Sequence, residues 1–340
     1  MERILAIDVG GTGIKYTVFD SKGNMEEVFS VPTPPNPKDK ADYDKAYNDY
    51  LRILSSIYKL QSTNGIGGIA IAHPGVMKNG FIEYGGSLQY TNEKNVAADL
   101  SRLCDKMPIT IFNDAKCAVA AELADGALKG VKNGACFTFG AAVGGGIVVN
   151  GKVLEGTSGE VSFMEDADGQ VFGITGSADG FIKKVAAAVG LPENTGGKEI
   201  FEKYINNGKY KENPKVDELF TAYTQNVARH IRNCHRVNQL DKVAIGGGIS
   251  KQPIFIEKIN EEMDKWYATS IDAMMGLEKP KFSIFPCEYE AEKANLRGAV
   301  AYFADATEAS WAQKIVQAGR KAKGCVVDSI RRDSKNGMVR

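Results

Sequence analysis

The residues of this chain most suited to chemistry are two neighbours, Asn113 and Asp114, in the segment IFNDAKCAVAAE. A short run of β-branched and aromatic residues ends at this pair and an alanine-rich segment follows it, so the pattern predicts a strand that hands over to a helix. The free N–H groups and positive dipole of a helix N-terminus favour the ionised form of a carboxyl group there. Asp114 could therefore act as a base, although Asn and Asp are also common there as simple helix N-caps.

A glycine-rich turn near the start of the chain could hold phosphate. Residues 4–7 and 14–19 predict two strands, and the turn between them carries three glycines. Small residues and free N–H groups can line an anion site, and Asp8 beside them could hold a hydrated Mg²⁺. The turn lacks the spacing of the GxxxxGK[ST] and GxGxxG motifs, and a plain glycine-rich hairpin would explain it equally well.

The same pattern occurs a second time. Residues 135–139 and 147–150 predict strands on either side of GAAVGGG, residues 140–146. Two similar halves facing each other across a cleft would bring two phosphate-binding turns together, although two unrelated hairpins also fit.

A further strand, residues 242–245, runs into glycines 246–248. Close approach of a flat ligand, such as an adenine ring, would require such a sequence.

Length and composition favour a two-lobed globular protein with a small partner. The chain has 340 residues, enough for two cores, and its 42 basic residues balance 42 acidic ones. This balance provides no overall field to attract nucleic acid or an anionic membrane. No apolar run approaches the roughly 20 residues of a membrane helix, and the first residues lack the long apolar segment of a signal peptide, so we expect a cytoplasmic protein.

The cysteines and histidines do not have the spacing of a metal site. No two of the six cysteines are placed like a zinc or redox pair, so we expect reduced, mostly buried thiols. His230 and Cys234 would share one face of a helix, whereas His235 would not. Core or surface roles are therefore favoured over a metal site.

Hydrophobic periodicity predicts the remaining elements. A strand over residues 67–72 ends at the turn His73-Pro74-Gly75, whose backbone groups could face a ligand, although an ordinary turn fits as well. The polar and aromatic stretch 83–90, which includes Ser87, suits a sugar pocket or a surface loop. The predicted helices cover residues 42–58, 95–106, 179–189, 216–240 and 291–303, the last able to pack across to the first lobe, and a basic tail follows with an amphipathic stretch at 311–316.

Taken together, these motifs resemble the ROK family of bacterial sugar kinases and repressors, within the actin-like ATPase superfamily. The resemblance covers about residues 3–303 and lies in DVGGTGIK from Asp8, the HPG turn, NDAKCAVAAE from Asn113, GAAVGGG from Gly140, SGE from Ser158 and IGGGIS from Ile245. It implies an α/β, two-lobed actin-like ATPase (ribonuclease H-like) duplicated fold with a central cleft. The expected lobes are residues 1–113 plus about 300–317 and residues 114–299, with a basic tail at 318–340.

The resemblance also implies the roles of individual residues. Asp114 matches the general base that takes a proton from the sugar hydroxyl attacking the γ-phosphate. The expected sugar-binding residues are Asn113, Glu160, His73, Gly75, Ser87 and, in place of a second glutamate, Asp179. The expected ATP-binding residues are Asp8, Gly10, Gly11, Thr12 and Lys15 in the first turn, Gly140, Gly144 and Gly145 in the second, and Gly246, Gly247 and Gly248 at the adenosine. Asp8 would bind Mg²⁺ through water.

Three departures from the family pattern affect these expectations. Members with zinc have a histidine shortly after the Gly-Glu pair and a CxCGxxGC run, whereas this chain has Phe163 and no cysteine from Gly169 to Gly180. Zinc is therefore not expected, and the pattern looks more like the β-glucoside kinase branch, with room for a second sugar ring. Ala141 replaces a usual threonine in the second turn. The tail after Asp305 is additional.

We therefore expect an ATP- and Mg²⁺-dependent kinase that phosphorylates the 6-hydroxyl of a glucose-type sugar or a β-glucoside. Phosphoryl transfer needs positioning and charge neutralisation more than covalent chemistry, so one carboxylate and two N–H-rich turns suffice. The alternatives are an N-acetylhexosamine (ManNAc or GlcNAc) kinase and a non-catalytic sugar or nucleotide sensor. Only seven residues precede Asp8, which leaves no space for the helix-turn-helix of the family's repressors. The family tendency suggests a homodimer or larger homo-oligomer.

Overall fold

Two five-stranded mixed sheets form the framework of the protein, one in each of two units. The first unit contains the described residues up to Asp125 and those from Glu292 onward, and the second is Gly126–Ala291. The computed structural model describes residues 2–78, 80–156, 159–166, 168–277, 279 and 281–319.

The sheet of the first unit has the order β3-β2-β1-β4-β7. A separate two-stranded ribbon, β5 and β6, follows β4. The strands are β1 (Arg3–Val9), β2 (Gly13–Phe19), β3 (Phe29–Pro32), β4 (Ile66–His73), β5 (Val76–Lys78), β6 (Phe81–Tyr84) and β7 (Ile109–Asn113). Residues Ile4 to Ile7 of β1 are all fully buried. Both faces of this strand are therefore covered, as its nearly continuous apolar sequence predicts.

Three helices accompany these strands: α1 (Tyr43–Gln61), α2 (Val96–Leu103) and α3 (Asp114–Asp125). Tyr50 and Leu54 of α1 are fully buried and pack in one core with Leu5 and Ile7 of β1. Their four-residue spacing places them on one face of the helix. This apolar face packs on the sheet, and the opposite face is polar.

The sheet of the second unit has the order β10-β9-β8-β11-β12. Its strands are β8 (Gly134–Phe139), β9 (Val143–Val149), β10 (Lys152–Val153), β11 (Lys242–Gly246) and β12 (Ser283–Pro286). Its helices are α4 (Phe172–Thr175), α5 (Ala178–Ala188), α6 (Gly197–Ile200), α7 (Pro214–Asn238), α8 (Pro253–Ala268) and α9 (Ile271–Met274). An aromatic core in which Phe139 meets Phe172 and Phe255 edge to face joins the sheet to the helices.

The two sheets repeat the same pairing pattern. In each, an antiparallel hairpin and a third antiparallel strand occupy one side, and two parallel strands occupy the other. The hairpins are β1–β2 and β8–β9, the two glycine-rich repeats of the sequence. The predicted duplicated α/β fold is therefore confirmed.

The last helix, α10 (Ala291–Ala306), brings the chain back to the first unit. Its small residues permit close packing there, because a Cβ atom added at Gly298 would lie 1.6 Å from the Cys117 carbonyl oxygen of α3. Residues 310–319 are also helical, and the buried Ile315 lies near the turn at Gly23.

The unit boundaries differ from those expected, which assigned all residues from Asp114 to about 299 to the second lobe. α3 and nearly all of α10 belong to the first unit, since they pack on each other and α3 contacts β4 and β7. The expected basic tail lies mostly outside the described residues. No helix in the described part of the chain is both long and apolar enough to cross a membrane.

Candidate active site

The predicted strand-to-helix junction is present at Asn113 and Asp114, the last residue of β7 and the first of α3. Asn113 uses both ends of its amide. Its Oδ1 accepts a bond of 3.0 Å from the Lys116 N–H, which caps the helix, and its Nδ2 donates to the Gly75 carbonyl oxygen at 2.9 Å. Asn113 therefore ties the HPG turn after β4 to the start of α3.

The carboxyl group of Asp114 is partly buried at this helix terminus, and Oδ1 accepts a bond of 2.8 Å from the Ala115 N–H. Burial raises the pKa of Asp114 above its ordinary value, and the backbone N–H groups oppose this rise without cancelling it. We expected the helix N-terminus to favour the ionised form, and the net direction is the reverse because desolvation outweighs the N–H bonds. A raised pKa makes this carboxylate a stronger base than an exposed aspartate.

Asp8 lies on β1 next to the first glycine turn and pairs in register with Lys15 of β2. Asn295 of α10 donates from Nδ2 to Asp8 Oδ1 over 3.1 Å. Burial, and then the Asp114 and Asp8 carboxylates, raise the pKa of the Cys117 thiol well above its ordinary value. In the sheet, Asp8 pairs with Ala72 of β4 and Asn113 pairs with the next residue of β4, His73, so Asp8 and Asp114 lie at the same end of the sheet.

The tip of the first hairpin consists of Gly10, Gly11 and Thr12, the residues between β1 and β2. Gly10 donates its N–H to the Gly13 carbonyl oxygen at 2.9 Å, which closes the turn. Gly11 and Thr12 are exposed. A Cβ atom added at Gly11 would lie 3.2 Å from Ser87 Oγ, so the predicted sugar-side serine is next to the predicted phosphate turn.

The HPG turn places its members differently. Gly75 has a φ of 99°, and an added Cβ atom would lie 2.0 Å from the Tyr84 carbonyl oxygen, so only glycine fits there. His73 is fully buried, its Nδ1 lies 2.6 Å from the Pro74 carbonyl oxygen and its ring meets Tyr50 edge to face. Burial lowers the pKa of His73 to about 4, so the ring is neutral near pH 7. In this position the His73 ring packs beneath the turn, and contact of His73 with a sugar stays a prediction.

A cavity of about 540 Å³ in the second unit unites several predicted residues. Gly140, Asp179 and Gly248 all line it, together with Phe139 and Ile249. The Gly140 carbonyl oxygen accepts bonds from the Asp179 N–H at 3.3 Å and from Ser177 Oγ at 3.2 Å. No atom lies within 4 Å of a Cβ added at Gly140 or Gly248, so both glycines border open space. Asp179, expected at the sugar, lies with the residues expected at the nucleotide.

Four of the six expected nucleotide glycines in the second unit do not line this cavity: Gly144, Gly145, Gly246 and Gly247. Gly144 and Gly145 lie inside β9, which begins at Val143, so the turn is shorter than the sequence pattern predicted. A Cβ atom at Gly145 would lie 2.0 Å from the Cys136 carbonyl oxygen, since the hairpin strands pass close together there. Gly246 is buried at the end of β11, whereas Gly247 is exposed in the following turn. Contact of Gly144, Gly145 and Gly246 with a nucleotide stays a prediction.

Glu160 lies in the loop after β10, and its carboxylate folds over the backbone of Gly156. Its motif partner Ser158 lies outside the described residues. Phe163, at the position of the family histidine, is 66% exposed, and its ring covers Gly159. An exposed aromatic ring is therefore close in sequence and structure to the predicted sugar-binding carboxylate.

The first unit contains oxygen donors that suit a hydrated Mg²⁺ ion. Asp8 supplies a half-buried carboxylate beside exposed backbone at Gly11 and Thr12. Mg²⁺ typically binds through one or two carboxylates, water and phosphate oxygens, and this donor set fits that pattern. Among the described residues, no three His, Cys, Asp or Glu side chains cluster as a metal-binding group.

Sequence reasoning missed two residues next to the site, Asn295 and Thr33. Asn295 lies in α10 and bonds to Asp8, which is far away in sequence, so no local pattern pointed to it. Thr33 is buried in a proline-rich segment and donates from Oγ1 to the Gly10 carbonyl oxygen at 2.7 Å.

Comparison with known proteins gives a family and a consistent fold. The model of the ROK family matches residues 4–306. A β-glucoside kinase of Listeria monocytogenes is 26% identical over 277 residues, covering 78% of this chain and 88% of the relative, and an N-acetylmannosamine kinase of Pasteurella multocida is 28% identical over 268 residues, covering 73% and 82%.

A solved structure shares the fold at lower identity. The ROK family glucokinase of Streptomyces griseus, in complex with glucose and AMPPNP, has a TM-score of 0.62 and 19% identity, covering 87% of this chain and 97% of that one. This likeness confirms the fold class that the resemblance implied. Since the family model matches most of the chain, the protein belongs to the ROK family.

Proposed function

We propose that this protein is an ATP-dependent sugar kinase that transfers the γ-phosphate to the 6-hydroxyl of a glucose-type sugar or a β-glucoside. The observation that carries the proposal is the junction at Asn113 and Asp114, where a carboxylate of raised pKa lies in the same region as Asp8 and the first glycine turn. Its relatives include named kinases of β-glucosides and N-acetylmannosamine.

Asp114 would act as the general base. Its carboxylate accepts the proton of the sugar hydroxyl as that oxygen attacks the γ-phosphorus, and ADP leaves. The proton need transfer only late in a loose transition state, so a moderately raised pKa is enough. Asn113 would orient the sugar, because its amide is already held by the Lys116 N–H and the Gly75 carbonyl oxygen.

The first glycine turn would receive the phosphates. Gly11 and Thr12 present exposed backbone at the tip of the β1–β2 hairpin, where N–H groups can bind anionic oxygens. Asp8 would hold Mg²⁺ through water, in an orientation maintained by Asn295. When bound, Mg²⁺ neutralises charge on the transferring phosphoryl group.

The cavity of the second unit would receive the adenosine. Its volume of about 540 Å³ suits a nucleoside, and its walls combine Phe139 and Ile249 with polar backbone at Gly140 and Gly248. The absence of side chains on the two glycines leaves space for a flat ring. Asp179 at its edge can accept a hydrogen bond from a ribose hydroxyl or the base.

The proposal favours a β-glucoside over free glucose because of Phe163. An exposed aromatic ring beside a sugar-binding carboxylate provides a face for a second sugar ring or an aryl aglycone. The second candidate is an N-acetylhexosamine kinase, which the 28% identity to an N-acetylmannosamine kinase favours.

We also propose that the protein acts in the cytoplasm as a homodimer or larger homo-oligomer. Light scattering of the purified protein would test the oligomeric state.

The experiment is ADP formation measured with a panel of sugars: glucose, mannose, N-acetylmannosamine, N-acetylglucosamine, cellobiose and gentiobiose. The proposal predicts that a β-glucoside gives the highest kcat/KM. Highest activity with an N-acetylhexosamine would support the second candidate instead. Binding of a sugar without any sugar-dependent ADP formation would contradict both kinase candidates and support a non-catalytic sugar sensor.

A further inference from the structure

A short segment from Thr33 to Asn36, here called the strap, crosses between two parts of the first unit. At its start, the buried Thr33 donates from Oγ1 to the Gly10 carbonyl oxygen at 2.7 Å, and its N–H donates to the Thr12 carbonyl oxygen at 3.2 Å. Both partners belong to the first glycine turn. The strap is therefore fastened to the predicted phosphate-binding turn.

The other end of the strap is fastened to the turn that carries Ser87. Asn36 donates from Nδ2 to the Ser87 carbonyl oxygen at 2.5 Å and accepts at Oδ1 from the Gln89 N–H at 2.9 Å. One side chain thus binds two backbone groups of the same turn. Just before it, the Pro34 carbonyl oxygen accepts a bond of 3.0 Å from the buried Tyr90 hydroxyl.

The composition of the strap makes this connection stiff. Pro34 and Pro35 have restricted φ angles, so little conformational freedom remains between the two anchors. The outcome is the approach of Ser87 to Gly11, at which a Cβ atom would lie 3.2 Å from Ser87 Oγ. The phosphate-side turn and the Ser87 turn are thereby held at a set distance.

We propose that Asn36 is a positioning residue that holds the Ser87 turn against the first glycine turn before the sugar binds. The inference rests on the proposed kinase function, in which Ser87 lies on the sugar side and Gly11 on the phosphate side. Without Asn36, the Ser87 turn is mobile in the free protein and the sugar itself must order it. Because part of the free energy of sugar binding is then used to order this turn, the affinity for the sugar is lower.

The substitution Asn36→Ala tests this inference, because it removes both bonds. Asn36 is exposed, so its loss leaves the core intact. Removal of two hydrogen bonds should raise the sugar KM roughly tenfold, while kcat at saturating sugar and the KM for ATP change by less than about twofold. Asn36→Asp keeps an acceptor for the Gln89 N–H but replaces the donor to the Ser87 carbonyl oxygen with a second oxygen. This variant should therefore not have the sugar KM of the unchanged protein. Asn48→Ala, at an exposed position of α1, is the matched control.

Hydrogen exchange provides a readout that does not depend on activity. In Asn36→Ala without sugar, the amides of residues 85–91 should exchange faster than in the unchanged protein and in Asn48→Ala, and saturating sugar should remove the difference. An unchanged sugar KM together with unchanged exchange at residues 85–91 would overturn the inference. If the unchanged protein phosphorylates no sugar, the proposed function fails, whereas faster exchange in the variant would still show that Asn36 holds this turn.

Discussion

Asn295 Nδ2 lies 3.1 Å from Asp8 Oδ1, a bond between residues 287 positions apart in the chain. The last described long helix therefore reaches the first strand and sets the orientation of the carboxylate proposed to hold Mg²⁺. The same helix packs on α3 at Gly298 and Cys117, close to the proposed base. One helix thus contacts both Asp8 and the helix that begins at Asp114.

The bond from Asn295 should be measurable in the dependence on magnesium. Asn295→Ala removes the donor that orients Asp8, so the Mg²⁺ concentration for half-maximal activity should rise by roughly 10-fold or more. Asn295→Asp should be worse, because it sets a second carboxylate against Asp8. Asn260→Ala serves as the control, since that amide donates to the Ile256 carbonyl oxygen of its own helix. An unchanged magnesium dependence in Asn295→Ala would refute the role.

The contact at Gly298 should control the stability of the first unit. A Cβ atom there would lie 1.6 Å from the Cys117 carbonyl oxygen, so Gly298→Ala forces α10 away from α3 and should cost about 1–3 kcal/mol of unfolding free energy. Gly196→Ala is the comparison, because no atom lies within 4 Å of its added Cβ. Urea unfolding of both variants measures the difference, and equal stabilities would show that the helices do not pack as described.

The raised pKa of Asp114 has a consequence for stability. A carboxyl group whose pKa is higher in the folded state than in the unfolded state stabilises the fold most when it is protonated, and that contribution is lost as the pH rises through the folded-state pKa. Asp114→Asn should therefore unfold at a higher temperature than the unchanged protein at pH 7, and the gap should narrow as the pH falls toward 4. A variant less stable at pH 7 would contradict the direction of the shift.

The Phe163 ring should determine whether the protein prefers a substrate with a second ring over free glucose. Phe163→Ala removes the aromatic face, so kcat/KM for cellobiose or an aryl β-glucoside should fall roughly tenfold relative to that for glucose. Ile174→Ala is a suitable control, because Ile174 is another highly exposed apolar residue of the same unit. A ratio of β-glucoside to glucose activity that does not change in Phe163→Ala would exclude an aromatic platform at this position.

Local pattern was sufficient for the two hairpins, for β4, β7 and β11, and for the helices α1, α2, α3, α5, α7 and α10. The β1–β2 and β8–β9 hairpins each combine alternating apolar residues with a glycine-rich turn, and both signals are local in sequence. Short elements without strong periodicity, such as β12 (Ser283–Pro286), were not predicted. Consecutive glycines also misled the prediction, because Gly144 and Gly145 look like a turn but lie in β9.

The candidate site was predictable where one motif carries its own chemistry. Asn113 and Asp114 stand out because a strand meets a helix at two polar residues. The bonds from Asn295 to Asp8 and from Asn36 to Ser87 join residues 287 and 51 positions apart, so no local pattern contains them. The pKa of Asp114 was also not predictable from local sequence. A helix N-terminus alone predicts a lowered pKa, and only the packed structure shows that desolvation of the carboxyl group outweighs the backbone N–H bonds.

The most direct test of the account is sugar-dependent ADP formation by Asp114→Asn, with sugar affinity measured separately by calorimetry. Loss of a general base should lower kcat by roughly 100-fold or more, while the Kd for the sugar changes little, because the amide occupies the same position as the carboxylate. A variant that binds sugar normally but forms ADP at the reduced rate would support Asp114 as the base. Full activity of Asp114→Asn would contradict it.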